Sequence, residues 1–209
     1  MSTSEISATS AALLGQLAMR DQTPYELSRA MEGNLRYFWP RAASHVYREV
    51  KRLAACGWAT TAQGTTGRRP RTVYRITEQG RTALRAWLTS PPNGVSLEHE
   101  PLLRVFLASS GTRESLLAAI ERARADAEAM LAVGGRLADE YLEGTHEFQD
   151  QVHIRALTFD YLYNWALFTV AWADRAERVV GRWEDVGASA DKHRLALVSL
   201  RRIVGGRPR

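Results

Sequence analysis

The spacing of apolar residues in the first 90 positions predicts helices that surround one hairpin. Helical periodicity covers about residues 7–19, 24–32 and 40–57. The segments "WATTAQ" and "RTVYRIT" predict two short strands around "GTTGRRP", whose glycines and proline favour a turn. A fourth helix follows Thr77 and runs through Leu88. This order of elements is typical of a winged helix-turn-helix.

Capping signals mark the ends of these helices. Thr23 suits the N-cap of the second helix, Pro24 its first position, and Glu26 completes a capping box. Thr77 can cap the fourth helix. Gly57 is a typical end for the third helix, because glycine accepts the left-handed conformation there.

The second half of the chain has helical periodicity throughout. It predicts a helix of about ten residues in "EPLLRVFLAS", a long one over 113–143 with a strained point at Gly134-Gly135, and further helices over 147–180 and 189–204. The segment "TSPPNGVS" is rich in turn residues and indicates a linker. We therefore expect a mainly α protein, with an α+β winged helix-turn-helix domain at 1–90 and an all-helical domain at 91–209.

Composition narrows the class of protein. The hydrophobic fraction of 45% and the charged fraction of 24% are ordinary for a soluble globular chain. No apolar run reaches the roughly 18 residues that a membrane span needs, and the N-terminus lacks the pattern of a signal peptide. The single cysteine, Cys56, excludes an internal disulfide framework. These features indicate a cytoplasmic protein without a membrane partner.

Positive charge is concentrated in the N-terminal half. The net charge is +5, but residues 1–90 hold 13 Lys and Arg against 6 Asp and Glu, and residues 91–209 hold 15 against 17. Residues 36–75 alone carry nine basic side chains and one acid, Glu49. Such a distribution indicates an anionic partner for the first domain.

The third helix combines an apolar side with a polar one. The residues expected inside are Ala43, Val46, Val50, Leu53 and Ala54. Ser44, Arg48 and Lys51 share another face, with Tyr47 beside them and His45 nearby. Polar side chains on one helix can read base edges in the major groove of DNA. The alternative is a solvated amphipathic helix.

Arginines at the tip of the hairpin favour DNA over that alternative. Arg68, Arg69 and Arg71 lie at this tip, and Arg75 follows on the second strand. An arginine-rich tip can lie along the phosphate backbone or in a minor groove. A solvated turn that uses arginine for solubility is the other interpretation.

Three segments, "YELSRAM", "FWPRAASHVYREVKRLAACGW" and "GRRPRTVYRITEQGRTAL", resemble the PadR family of transcriptional regulators. The resemblance covers residues 7–90 in motif detail and the remainder only as a helical domain of suitable length. It implies a winged helix followed by a helical dimerisation domain, and for many members a repressor that releases DNA on binding a small effector. The positions that match family motifs are Tyr25, Tyr47, Gly57, Tyr74, Thr77 and Gly80.

Two positions depart from the family pattern, since Arg48 stands where a proline is frequent and Ser44 where a glycine is common. The operator sequence therefore does not follow from relatives. The candidate DNA contacts are Tyr25, Ser44, His45, Tyr47, Arg48, Lys51, Arg68, Arg69 and Arg71.

Aromatic residues form a stripe on the helix predicted over 147–180. Tyr161, Trp165, Phe168 and Trp172 recur at spacings of four, three and four, and Leu157 extends the stripe. Such a stripe packs within the chain or across a dimer interface. Part of it can also line an apolar site for a small aromatic or apolar effector. The candidate pocket residues are His153, Tyr161, Asn164, Trp165 and Phe168.

Two-fold symmetry suits DNA reading by a small domain. A dimer of winged helices contacts two half-sites about 34 Å apart, one helical turn of DNA. We therefore expect a homodimer on a pseudo-palindromic operator.

Catalytic and metal chemistry have little support in the sequence. Cys56 ends a helix, where a thiolate is disfavoured, and His99, His146 and His153 lack the spacing of metal ligands. We expect that the protein is not an enzyme and that it has no cofactor and no metal site. The alternative function is a helical small-molecule-binding protein whose basic domain docks on a protein partner.

Overall fold

The computed structural model describes residues 6–66 and 69–205, with side chains throughout these ranges except at positions 34, 65, 66, 69, 70, 202 and 203. The chain forms two compact units that divide between Val95 and Ser96. Each unit is built from its own elements and has its own core.

The first unit is a winged helix-turn-helix. Its elements are α1 (Ala8–Met19), α2 (Pro24–Ala30), α3 (Ala43–Ala55), β1 (Ala59–Thr66), β2 (Arg69–Ile76) and α4 (Glu78–Thr89). A wider helical turn, Met31–Leu35, continues α2. The predicted order of elements and the predicted fold class are confirmed.

Polar caps begin three of these helices. In α2, the Glu26 carboxylate accepts from the Thr23 amide at 2.7 Å, and the Thr23 hydroxyl accepts from the Glu26 amide at 3.2 Å. The Thr77 hydroxyl accepts from the Gly80 amide at 3.0 Å. Both caps were predicted. The capping box that Ser7 and Ser10 form on α1 was not.

The ends of two helices differ from the prediction. The chain remains helical through Gly33 to Leu35, because Gly33 does not adopt the left-handed conformation that ends a helix. Helix α3 begins at Ala43, later than Pro40, since Ala42 is still extended. Gly57, whose φ is 73°, ends α3 as predicted.

The core of the first unit is centred on α1 and α3. Its fully buried side chains include Leu13, Leu14 and Leu17 of α1 and Leu27 of α2. Val46, Val50 and Leu53 of α3 are buried as predicted, whereas Ala43 is exposed at the start of the helix. This apolar side holds α3 in place and leaves its polar side outside.

The hairpin is longer than predicted and is joined to the helices at its base. Strands β1 and β2 pair antiparallel from Ala59↔Ile76 to Thr66↔Arg69. Gln22 extends the pairing, since its backbone amide donates to the Tyr74 carbonyl at 3.1 Å and its carbonyl accepts from the Tyr74 amide at 2.8 Å. We call this hairpin, residues 59–76, the wing.

The second unit is helical. It consists of α5 (Glu100–Phe106), α6 (Arg113–Leu142), α7 (Val152–Val180) and α8 (Ala190–Gly205), with short single turns before α6 and α7. Helix α6 is continuous through Gly134-Gly135, so the strain predicted there is not observed. Helix α5 packs on α6, and α6 packs on α7 along small and apolar residues such as Ile120, Ala123 and Ala173.

Charged groups reinforce the α6–α7 pair. The Arg124 guanidinium contacts Glu121 of its own helix at 2.5 Å, and reaches Asp174 at 3.1 Å and Glu177 on α7. Arg113 donates to the Val180 carbonyl at 3.2 Å at the end of α7. These bonds fix the two helices in register.

Apolar side chains on α7 and α8 remain exposed in the single chain. Leu157, Tyr161 and Phe168 are 70%, 66% and 61% exposed, while Trp165 and Trp172 are half-buried. Every described side chain of α8 except Lys192 is exposed. The predicted aromatic stripe is therefore covered only in part within the chain: Trp172 packs against the core between α6 and α7, whereas Tyr161 and Phe168 are exposed.

Among the helices that the structure describes, none combines the length and the apolar character that crossing a membrane requires.

Candidate nucleic-acid interface

One side of α3 presents polar and basic groups to solvent. Ser44, Tyr47, Arg48 and Lys51 are all exposed, and we call them the polar face of α3. His45 is half-buried beside them. The structure thus brings together the five candidates from the third helix on one side. Because Val46, Val50 and Leu53 are buried on the opposite side, the polar face points away from the core.

Tyr25 lies near the start of α2, in its first turn, and is 64% exposed. The capping box of Thr23 and Glu26 fixes this turn, so the exposed ring stands on a rigid helix end.

Strand β2 of the wing is joined to neighbouring elements by two ion pairs, one nearer the tip and one near the base. Arg71 of β2 contacts Glu26 at 3.7 Å, and Arg75 contacts Asp21 at 2.6 Å. The backbone amide of Thr23 lowers the pKa of Glu26, and its hydroxyl and the Arg71 charge act in the same direction against the raising effect of burial. The hydrogen bond from Arg75 to Asp21 raises the pKa of Arg75. Glu26 therefore stays ionised and able to hold the wing.

The side chains of two candidate DNA contacts are not described. Arg68 lies outside the described residues, and Arg69 is described only as the first backbone position of β2. Their roles as DNA contacts remain predictions from the sequence.

Arg52 and Glu49 form a contact that sequence reasoning missed. Arg52 belongs to the polar residues of α3 by sequence, yet its guanidinium bonds the buried carboxylate of Glu49 at 2.7 Å. A signal was available, because a single acid in a basic helix three positions before an arginine is the spacing of an intrahelical ion pair.

The second unit contains a cavity of about 210 Å³ between α5, α6 and α7. Its lining includes Trp165, Ala166 and Thr169 of α7, Met130 of α6, and acidic groups such as Glu100 and Asp126. Trp165 is the only predicted pocket residue in this lining. His153, Tyr161, Asn164 and Phe168 are exposed instead, and the amide of Asn164 donates to Asp160 of its own helix.

Metal and thiol chemistry have no built site in the part of the chain that is described. No group of three or more His, Cys, Asp or Glu side chains there could hold a metal ion. Cys56 is a half-buried free thiol with the Arg52 guanidinium 4.0 Å away.

Two family models match the chain. Residues 13–86 match the Transcriptional regulator PadR-like family, and residues 99–180 match the Virulence activator alpha C-term model. Together these matches include α3, the wing and the α5–α7 helices.

Similar curated proteins are also regulators. The chain is 32% identical over 82 residues to a probable transcriptional regulator, Rv1176c, of Mycobacterium tuberculosis. The matched segment covers 38% of this chain and 43% of that regulator. It is 28% identical over 107 residues to the negative transcriptional regulator PadR of Bacillus subtilis, and this match covers 49% of this chain and 58% of that regulator. The chain thus matches about half the length of these relatives.

Solved structures share the fold over most of the chain. The protein smu.1604c from Streptococcus mutans has a TM-score of 0.69 at 21% identity, covering 79% of this chain and 96% of that one. Bacillus subtilis PadR in complex with operator DNA has a TM-score of 0.67 at 20% identity, covering 82% and 98%.

The Bacillus subtilis regulator has also been solved in complex with p-coumaric acid, and that structure has a TM-score of 0.60 at 21% identity, covering 82% and 98%. The Vibrio cholerae virulence activator AphA has the same TM-score and identity, covering 81% and 95%. The family matches, the confirmed order of elements and these folds agree: residues 13–86 match the PadR-like family of transcriptional regulators, and most of the chain shares the fold of these solved structures.

Proposed function

We propose that the chain is a repressor that binds a pseudo-palindromic operator as a homodimer. The polar face of α3 enters the major groove, and the wing contacts the adjacent backbone. The observation that carries the proposal is that Arg48, Lys51, Ser44 and Tyr47 are exposed together, while the one acid of the helix is buried. A groove-facing surface without a carboxylate avoids repulsion from phosphates.

The two halves of the chain take separate roles in this proposal. Residues 1–90 contact DNA, and residues 91–209 hold two copies together. Exposed apolar side chains on α7 and α8 support the second role, because such surfaces are usually covered in a working assembly. A DNA-bound regulator of this kind would act in the cytoplasm.

Repression is supported by the negative regulator of Bacillus subtilis, whereas AphA, of similar fold, is named as an activator. Release by a small aromatic or apolar effector is supported by the p-coumaric acid complex of that same negative regulator. The cavity beside Trp165 is a candidate entry site for such a compound.

Selection of bound duplexes from a random pool tests the proposal. We expect an enriched pseudo-palindrome, with two copies of the chain per duplex. Addition of aromatic compounds should then release the selected duplex and change the fluorescence of Trp165. A chain that quenches with such compounds but selects no duplex would instead be a small-molecule-binding protein that docks on a protein partner.

A further inference from the structure

The only acidic residue of α3, Glu49, lies on the side of the helix that faces α1. It is 7% exposed, although it sits next to the exposed Arg48 in the sequence. A carboxylate at such a position costs free energy unless partners compensate for the lost water. The groups that bond the Glu49 carboxylate therefore indicate its structural role.

Four donor groups surround this carboxylate. The Arg52 guanidinium donates through Nε at 3.1 Å to both oxygens and through Nη2 at 2.7 Å to Oε1. The hydroxyls of Ser7, at 3.3 Å, and Ser10 donate to the same oxygen. Arg52 also donates to the Ser10 hydroxyl. The network therefore joins α3 to the first turn of α1.

The first turn of α1 is itself rigid. Ser7 and Ser10 form a capping box in which the Ser10 amide donates to the Ser7 hydroxyl at 3.0 Å. The positive end of a helix dipole favours a nearby anion. Burial raises the pKa of Glu49, but donation by Arg52, Ser10 and Ser7 outweighs it and leaves the pKa below its ordinary value. The carboxylate is thus ionised at neutral pH.

Arg52 contacts several groups of the domain, and 34% of its side chain remains exposed. Besides Glu49 and Ser10, its guanidinium lies 5.5 Å from the centre of the Trp58 ring, and Nη1 lies 4.0 Å from the Cys56 sulfur. Arg52 is therefore less exposed than Arg48, which points outward on the polar face. The Nε and Nη2 donors of Arg52 are committed to the network.

The buried apolar side of α3 sets its rotation only approximately, since hydrophobic burial is not directional. A hydrogen-bonded ion pair has a defined geometry and permits one arrangement. We propose that Glu49 and Arg52 are positioning residues, which hold α3 at a fixed rotation against α1 so that its polar face meets the bases, and that Arg52 does not contact DNA. This inference rests on the proposed function.

Substitution of Glu49 by glutamine gives opposite results under two explanations. Removal of an acid from a DNA-binding helix should tighten DNA binding if charge alone matters. If Glu49 positions α3, Glu49→Gln should weaken affinity for the selected duplex by about two- to thirtyfold, as remote positioning residues do. Affinity for a scrambled duplex should not weaken. Glu78→Gln, which removes an exposed acid on α4, is the matched control and should not lose selectivity.

Substitution of Arg52 separates positioning from contact. Arg52→Ala should weaken binding to the selected duplex without changing the salt slope, whereas Lys51→Ala should reduce that slope by about one. Arg52→Lys retains a cation beside Glu49 and should recover part of the affinity. A salt slope reduced by Arg52→Ala as much as by Lys51→Ala would overturn the proposal, and so would tighter binding of the selected duplex by Glu49→Gln.

Amide hydrogen exchange of the DNA-free chain tests the contact independently of DNA. In Glu49→Gln, the amides of Val50 and Leu53 should exchange faster than in the parent, while those of α4 should not change. Unchanged exchange in α3 overturns the proposal. If the parent selects no duplex, the proposed function fails, and the exchange of α3 still decides whether Glu49 holds the helix.

Discussion

Arg48 and Arg52 lie one helical turn apart on α3 but have different surroundings. Arg48 is exposed on the polar face, whereas Arg52 bonds Glu49 and Ser10 at the contact with α1. A helical wheel places both on the polar part of the helix. Partners and burial therefore decide which arginine can meet a ligand.

Replacement of Arg48 by alanine should relax the base preference at one operator position and cost about 1–3 kcal/mol of specific binding. The physical reason is the loss of a side chain able to bond guanine through two hydrogens. Binding to variant duplexes measures this effect. Arg81→Ala removes an equal charge from an exposed site on α4, and an equal loss of base preference there would contradict the assignment.

Gly80 is required by packing at the start of α4. A Cβ there would lie 2.1 Å from the Trp58 carbonyl oxygen, which is backbone and cannot turn aside. We expect Gly80→Ala to lower the free energy of unfolding by about 1–3 kcal/mol, as overpacking does.

Gly33 is the matched control for this prediction. It lies in a right-handed helical turn with nothing within 4 Å of an added Cβ. Gly33→Ala should raise the free energy of unfolding by about 0.5–1 kcal/mol, because alanine favours a helix. Urea unfolding measures both variants, and equal effects would contradict the packing argument.

At the scale of elements, the wing is attached to α2 and the residues before it through side chains of β2 and through backbone bonds. Arg71 and Arg75 pair with Glu26 and Asp21, and Gln22 bonds Tyr74. Two of the nine basic side chains in residues 36–75 are therefore already paired with carboxylates. Charge at the tip is therefore expected to act differently from charge at the base.

Arg69→Ala should weaken binding to all duplexes about equally and reduce the slope of log affinity against log salt by about 0.9. Arg75→Ala is the matched variant, because the Arg75 guanidinium is already bonded to Asp21 at 2.6 Å. We expect it to change the slope much less. Titrations at several salt concentrations measure both, and identical slopes for the two variants would show that the tip has no special contact.

At the scale of the whole molecule, the second unit leaves a large apolar surface exposed. Tyr161 and Phe168 on α7 stand out from the pair that α7 forms with α6, and α8 exposes Leu195 and Val198. These residues do not hold the single chain together. Association with a second copy would remove them from water.

Joint replacement of Tyr161 and Phe168 by serine should shift the proposed dimer to monomer, since buried interface aromatics contribute roughly 2 kcal/mol or more each. The chain should stay folded, because both side chains are exposed within it. Sedimentation measures the change. Leu88→Ser, at another exposed apolar position, is the control, and a double variant that remains dimeric would exclude this part of α7 from the interface.

Much of the fold was predictable because local signals agree with the final structure. Thr23, Thr77 and Gly57 mark helix ends through their own backbone bonds and conformations, which do not depend on distant residues. Gly33 was misleading, since a glycine permits a left-handed conformation without requiring it. The start of α3 was also misplaced, because Ala42 remains extended beyond Pro40.

The sequence by itself determined the order of elements, the concentration of positive charge in the first domain and the apolar and polar sides of α3. These follow from periodicity and composition, which are local properties. Only the tertiary structure decided that Arg52 faces Ser10 of α1, that Arg75 is bonded to Asp21, and that the aromatic stripe of α7 is half-buried at Trp172 but exposed at Tyr161. Those outcomes depend on which distant residues come close, and the pairing of distant residues is not encoded in the spacing along any one helix.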